Sequence, residues 1–136
     1  MSERRPSRPE LWLGFLCAVG WGAVAFAATG VLSWALDREP VAQPVGPGFA
    51  FAAAAASGLL VWLVAAFSVS APRPWLGMAA AAAGSYLAIC AVAFVVGLGL
   101  LIEQASSPFV ITAALLAPGA VLLCRLAARH DPRSRG

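Results

Sequence analysis

Apolar residues in this chain fall into four long runs, and proline, glycine and charged residues punctuate them. The longest, from Trp75 to Ile102, reads WLGMAAAAAGSYLAICAVAFVVGLGLLI and gives way at once to Glu103 and Gln104. At about 1.5 Å of rise per residue it would extend roughly 40 Å as one helix, more than the roughly 30 Å hydrocarbon core of a bilayer. It is therefore expected to cross a membrane as a single tilted span. Leu11 to Leu36, Phe49 to Ala71 and Phe109 to Ala128 form the other three runs.

The breaks between them are chemically distinct. Residues 37–48, DREPVAQPVGPG, carry Pro40, Pro44, Pro47, Gly46 and Gly48 and must form a loop. Pro72-Arg73-Pro74 is a tight turn that cannot continue a helix. Ser107 can cap the fourth helix, with Pro108 at its first position. The pattern predicts an all-α fold: a polytopic integral membrane four-helix bundle with spans of about 11–36, 49–71, 75–102 and 109–128. A polar lead (1–10) precedes this single domain (11–128), and a polar tail (129–136) follows it. The basic lead before Ala25-Phe26-Ala27 has the outline of a cleavable leader, but apolar residues continue to Leu36, so the first run is read as a span.

Composition narrows the solvent and the chemistry. The chain is 61% hydrophobic and 11% charged, against about a quarter charged in soluble domains, so lipid is its solvent. Cys17, Cys90 and Cys124 lie in apolar runs with no CxxC pair and read as small hydrophobes. His130 is the only histidine, so no His, Cys and carboxylate cluster has metal-ligand spacing, and neither metal nor cofactor is expected. No basic and aromatic face outside the spans suits nucleic acid.

Orientation follows from the arginines. Arg4, Arg5, Arg8, Arg73, Arg125, Arg129, Arg133 and Arg135 fall on one side of the predicted topology, and only Arg38 on the other. The positive-inside rule then predicts a multi-pass plasma-membrane protein with both termini cytoplasmic. Arg125, in the last turn of the fourth span, is expected to snorkel to the headgroups.

An internal offset of 63 residues superposes Trp12-Leu13-Gly14 on Trp75-Leu76-Gly77 and Leu59-Leu60 on Leu122-Leu123. Such a repeat would make the fold two tandem parallel helical hairpins related about the membrane normal. Under this offset Gly14, Ala18, Ala25 and Ala28 align with Gly77, Ala81, Ala88 and Ala91, and the stripe has the 4-3-4-3 spacing of a left-handed crossing. Trp21 interrupts the first stripe, and its repeat partner is Gly84. The expectation is that the first and third helices face one another through these seams, with Trp21 seated at the Gly84 notch. An alanine-rich composition also supplies small-residue stripes on many faces, which is the competing explanation.

Counting rise from the interfaces puts Trp21, Ser57, Tyr86 and Pro118 at one depth, roughly 12 to 16 Å into their spans. Pro118 frees the carbonyl of Ala114, and the Trp, Tyr and Ser donors need partners in hydrocarbon. One reading is a pocket for an apolar molecule with a single polar handle. The other is packing, with the hydroxyls bonded along their own helices. Glu103 is the ionisable candidate at a membrane boundary, and its position after the longest span places it at the outer interface.

With no catalytic constellation, an enzyme is not expected. The leading expectation is an interaction, structural or accessory subunit that packs on a partner membrane protein or a second copy. A small oligomeric transporter or channel for an apolar or drug-like ligand is the alternative. The absence of a carboxylate deep in any span weighs against it.

Overall fold

The computed structural model describes residues 6–130, so Arg4, Arg5, Arg133 and Arg135 lie outside the described residues. It contains five helices in this range: α1 (Arg8–Leu36), α2 (Gly48–Ser68), α3 (Pro74–Val96), α4 (Leu98–Ala105) and α5 (Pro108–His130). Among the described residues, α1, α2, α3 and α5 are long and apolar enough to cross a membrane. Their outer faces are apolar too: Phe26, Trp34 and Val95 are each more than 80% exposed, at 83%, 86% and 84%. Water does not favour so broad an apolar surface, whereas lipid does. The chain is a multi-pass membrane protein built as an all-helical bundle.

Local chemistry sets the helix ends. The Glu10 carboxylate accepts the Ser7 N–H at 2.6 Å, the arm of a capping box that runs from the third helical residue back to the cap and anchors the start of α1. Pro9 sits in the first turn, where its missing N–H costs no helix bond. At the other end Asp37 adopts the left-handed conformation (φ 47°, ψ 44°) and returns its N–H to the Ser33 carbonyl. Pro74 and Pro108 open α3 and α5, each at the first helical position.

Each long helix packs on two neighbours: α1 on α2 and α5, and α3 on the same two. The cyclic order is α1, α2, α3, α5, and α2 also touches α5 across the middle. The central core accordingly combines Val61 and Ala65 of α2 with Ala117, Val121 and Cys124 of α5; Ala18 and Trp21 join from α1, and Ala81 from α3.

This order corrects the expected seam. α1 and α3 lie on a diagonal and do not form a packed pair. The small residues still mark close approaches, but the neighbour is α2. A Cβ added to Gly14 would lie 3.0 Å from the backbone nitrogen and the Cβ of Ala66, and one added to Gly77 would run into Ser68. The notch at Gly84 is filled by Leu60, not by Trp21. Ala18 and Ala81 both turn to the central core, which they share with residues of α2 and α5. Ala25, Ala28 and Ala88 are half-buried, and Ala91 is exposed. A small-residue stripe favours a close neighbour without choosing which one, and a closed ring of four gives each helix two.

The long third run is the second correction. It does not continue to Ile102 as one tilted helix, but breaks at Gly97 after 23 residues. Gly97 donates to the Ala93 carbonyl to end α3, and its own carbonyl accepts from Leu101 to begin α4. Two glycines, Gly97 and Gly99, weaken the helix where the run outgrows the bilayer. The excess length is thus taken up by a break rather than by tilt.

The last residue of α4 comes back to Tyr86, whose hydroxyl donates to the Ala105 carbonyl at 2.7 Å. Tyr86 lies ten residues below the end of α3, about 15 Å, so α4 folds back along α3 toward the membrane interior. Its Leu100 is buried with Phe49 and Ala53 of α2 and Ala93 of α3.

Two side chains tie helix to chain at the end of the bundle where α1 begins. The Trp62 indole donates to the Leu11 carbonyl at 2.8 Å. Arg125 donates through Nη1 to the carbonyls of Ser68 and Ala71, both at 2.8 Å. Arg125 therefore does not snorkel freely to headgroups as expected; it fastens α5 to the end of α2. Trp62 and Arg125 are themselves 63 residues apart, and each reaches a carbonyl near the start of the first helix of its own hairpin.

The close approach at Gly14 is directly testable. Gly14→Leu must displace backbone and is expected to lower stability by about 1–3 kcal/mol, seen as a drop in Tm in detergent. Gly30→Leu, whose added Cβ meets nothing within 4 Å, should leave Tm nearly unchanged.

Candidate functional site

A cleft of about 580 Å³ lies between α1 and α2, open along one side to lipid. It exists because facing positions are small. Gly22 on α1 and Gly58 on α2 leave space that no neighbouring atom fills, while Phe15, Phe26 and Trp62 form the rim. Trp21 and Ser57 lie at its base.

Both of these base residues are already satisfied. Trp21, 8% exposed, donates its indole N–H to the Ala113 carbonyl of α5 at 3.0 Å. The acceptor is thus one residue before Ala114, whose carbonyl Pro118 was expected to free. Ser57 bonds back along its own helix to the Ala53 carbonyl at 2.6 Å. Thr29, at the far end of the cleft, does the same to Ala25 at 2.9 Å.

The structure brings Trp21 and Ser57 together and separates the other two midplane candidates. Tyr86 faces α4 and holds Ala105; Pro118 is half-buried in α5, and neither lines the cleft. Equal depth did not mean a shared site, because residues on different helices also have to point to the same azimuth. No acidic or basic side chain lines the cleft. It can hold an apolar chain, but it offers no group to move a proton.

Glu103 and Gln104 sit on α4 and hold the loop between α1 and α2. The Glu103 carboxylate accepts the Ala42 N–H at 2.7 Å, and Gln104, 3% exposed, donates to the Pro40 carbonyl at 3.3 Å. Gln43 of the same loop lies close to Gly99. The Pro-rich loop and α4 together close the bundle at this end, with Val41 and Val45 packed beside Leu100.

Cys17 and Cys124 meet in the central core across the α1–α5 boundary, an adjacency their spacing in sequence could not reveal. All three cysteines are free. Among the described residues no group of three or more His, Cys, Asp or Glu side chains is placed to hold a metal ion. Sequence reasoning missed the ties made by Trp62 and Arg125, although the 63-residue offset that aligns them was available.

Comparison with protein-family models, with curated proteins and with solved structures finds no match.

The hydrogen bond at Ala105 carries a prediction for α4. Tyr86→Phe should leave the four long helices intact but speed amide exchange in Leu98–Ala105 roughly two- to tenfold, the factor that corresponds to losing one net hydrogen bond. Hydrogen exchange read by mass spectrometry would check this.

Proposed function

We propose that this chain is a structural or accessory subunit that packs against a partner membrane protein through the outward face of α1, and that it performs no catalysis. The observation that carries this reading is a second small-residue stripe. Gly20, Ala23, Ala27 and Gly30 follow a 3-4-3 spacing on α1 and are all exposed. At 100° per residue they lie on the side of the helix opposite Gly14, Ala18 and Trp21, its only buried residues.

Added side-chain atoms at Gly20 and Gly30 would meet nothing within 4 Å. Glycine inside a helix costs about 1 kcal/mol relative to alanine. Among the described residues nothing packs on these two glycines. Close approach of another helix would explain them, because association in lipid relies on backbone proximity over small residues. Leu16 and Trp34 flank the stripe on the same face and are also exposed.

The transporter alternative finds less support. The α1–α2 cleft has no ionisable lining, and its hydroxyls and indole are engaged with backbone carbonyls. The arginine distribution supports a plasma-membrane protein with both termini in the cytoplasm.

Gly20→Leu combined with Gly30→Leu should abolish migration with a larger species after mild solubilisation of the native membrane, while the Tm of the purified chain stays unchanged. Recovery of only free monomer from the unaltered protein would contradict the proposal. A dimer of this chain alone would identify the partner as a second copy.

A further inference from the structure

The cleft between α1 and α2 does not stop at Phe15. Below it, on the side where α1 begins, a second hollow of about 540 Å³ is lined by Arg8, Leu11, Trp12, Phe15 and Trp62. Phe15 and Trp62 belong to both hollows and stand edge to face, with ring centroids 6.0 Å apart. Trp12 packs edge-on against Phe15 in turn, at 6.1 Å. The two hollows therefore form one groove along the α1–α2 boundary, with an aromatic collar part-way along it and an arginine at its mouth.

We propose that this groove binds one anionic glycerophospholipid from the leaflet on the N-terminal side of the bundle. Its phosphate sits at Arg8 and one acyl chain lies in the cleft above the collar. Length and charge both fit that occupant. From Phe15 to Thr29 the cleft follows fourteen residues of α1, about 21 Å, long enough to take one acyl chain through the roughly 15 Å of hydrocarbon in one leaflet. The walls there are Gly22, Ala25, Ala54 and Gly58 between aromatic rims, apolar throughout, with the hydroxyls and the Trp21 N–H turned to carbonyls. A hydrocarbon chain leaves no polar group in that space unsatisfied.

At the mouth the guanidinium of Arg8 is exposed. The nearby Glu10 carboxylate is turned to the Ser7 N–H and hydroxyl. Trp12 and Trp62 place amphipathic rings at the level where headgroup meets hydrocarbon. An arginine in this setting pairs with a phosphate through its planar fork of donors. The site lies on the flank of α1, roughly 100° around the helix from the Gly20 to Gly30 stripe, so it stands independently of the partner-helix proposal.

The test uses the full chain reconstituted in vesicles and reads quenching of its tryptophans by phospholipids with brominated acyl chains. A brominated phosphatidylglycerol should compete roughly fivefold better than the brominated phosphatidylcholine, the preference that one surface arginine confers. Arg8→Gln should bring this ratio to near one, and Arg129→Gln, an exposed arginine away from the groove, should leave it unchanged. Gly58→Leu, whose new side chain enters open space rather than the bundle, should weaken quenching by both lipids without lowering Tm. Equal quenching by the two lipids, or a preference that survives Arg8→Gln, would overturn the proposal. So would a preference that Arg129→Gln removes equally, since it would then belong to the basic surface as a whole.

Discussion

A polar atom inside hydrocarbon has no water to turn to, and this requirement organises the bundle. Among the described residues, every buried side-chain nitrogen or oxygen has a partner. Nearly all those partners are backbone carbonyls. Trp21 reaches α5 from α1, Trp62 reaches α1 from α2, and Tyr86 reaches Ala105 at the end of α4 from α3. Arg125 reaches the end of α2 and the turn after it from α5. The donors come from a handful of large side chains, and the acceptors are supplied by the main chain itself. Ala105 and Ser68 end α4 and α2 and Ala71 lies in the turn beyond, where carbonyls lack an intrahelical N–H. Leu11 and Ala113 lie within helices and accept through a second lone pair.

That arrangement works only because the helices come close. Gly14 lets α1 approach the backbone of α2 at Ala66, and Gly77 leaves room on α3 for the small Ser68 side chain of α2. At Gly84 the space is instead filled by Leu60. Where the small residues face one another without contact, as at Gly22 and Gly58, they leave the cleft. The same residue types therefore produce both tight seams and open grooves, depending on which helix lies opposite.

Much of this was legible in the sequence. The four spans and the loops between them follow from apolar run length and from proline placement, and the helices begin and end within about three residues of those limits, except that α3 stops six residues short of Ile102. Two further signals were present but outweighed by the apolar character around them. Gly97-Leu98-Gly99 marked the break in the third run, and Ser7 with Glu10 three residues on marked the start of α1. The neighbour relations were not legible. Stripe spacing reports that a face packs closely, and a repeat reports which residues are equivalent, but equivalence is not contact. Trp21 and Gly84 are repeat partners on diagonal helices. In the same way Trp21, Ser57, Tyr86 and Pro118 share a depth but not a direction, so one pair lines the cleft and the others do not.

The order of helices around the bundle is the claim on which the cleft, the exposed stripe and the groove all depend, and disulfide trapping tests it most directly. In a background lacking the three native cysteines, Leu60→Cys with Gly84→Cys should cross-link readily on mild oxidation in the membrane, since α2 fills the notch on α3. Trp21→Cys with Gly84→Cys should not cross-link. Efficient trapping of the second pair, with none of the first, would put α1 against α3 and contradict the arrangement described.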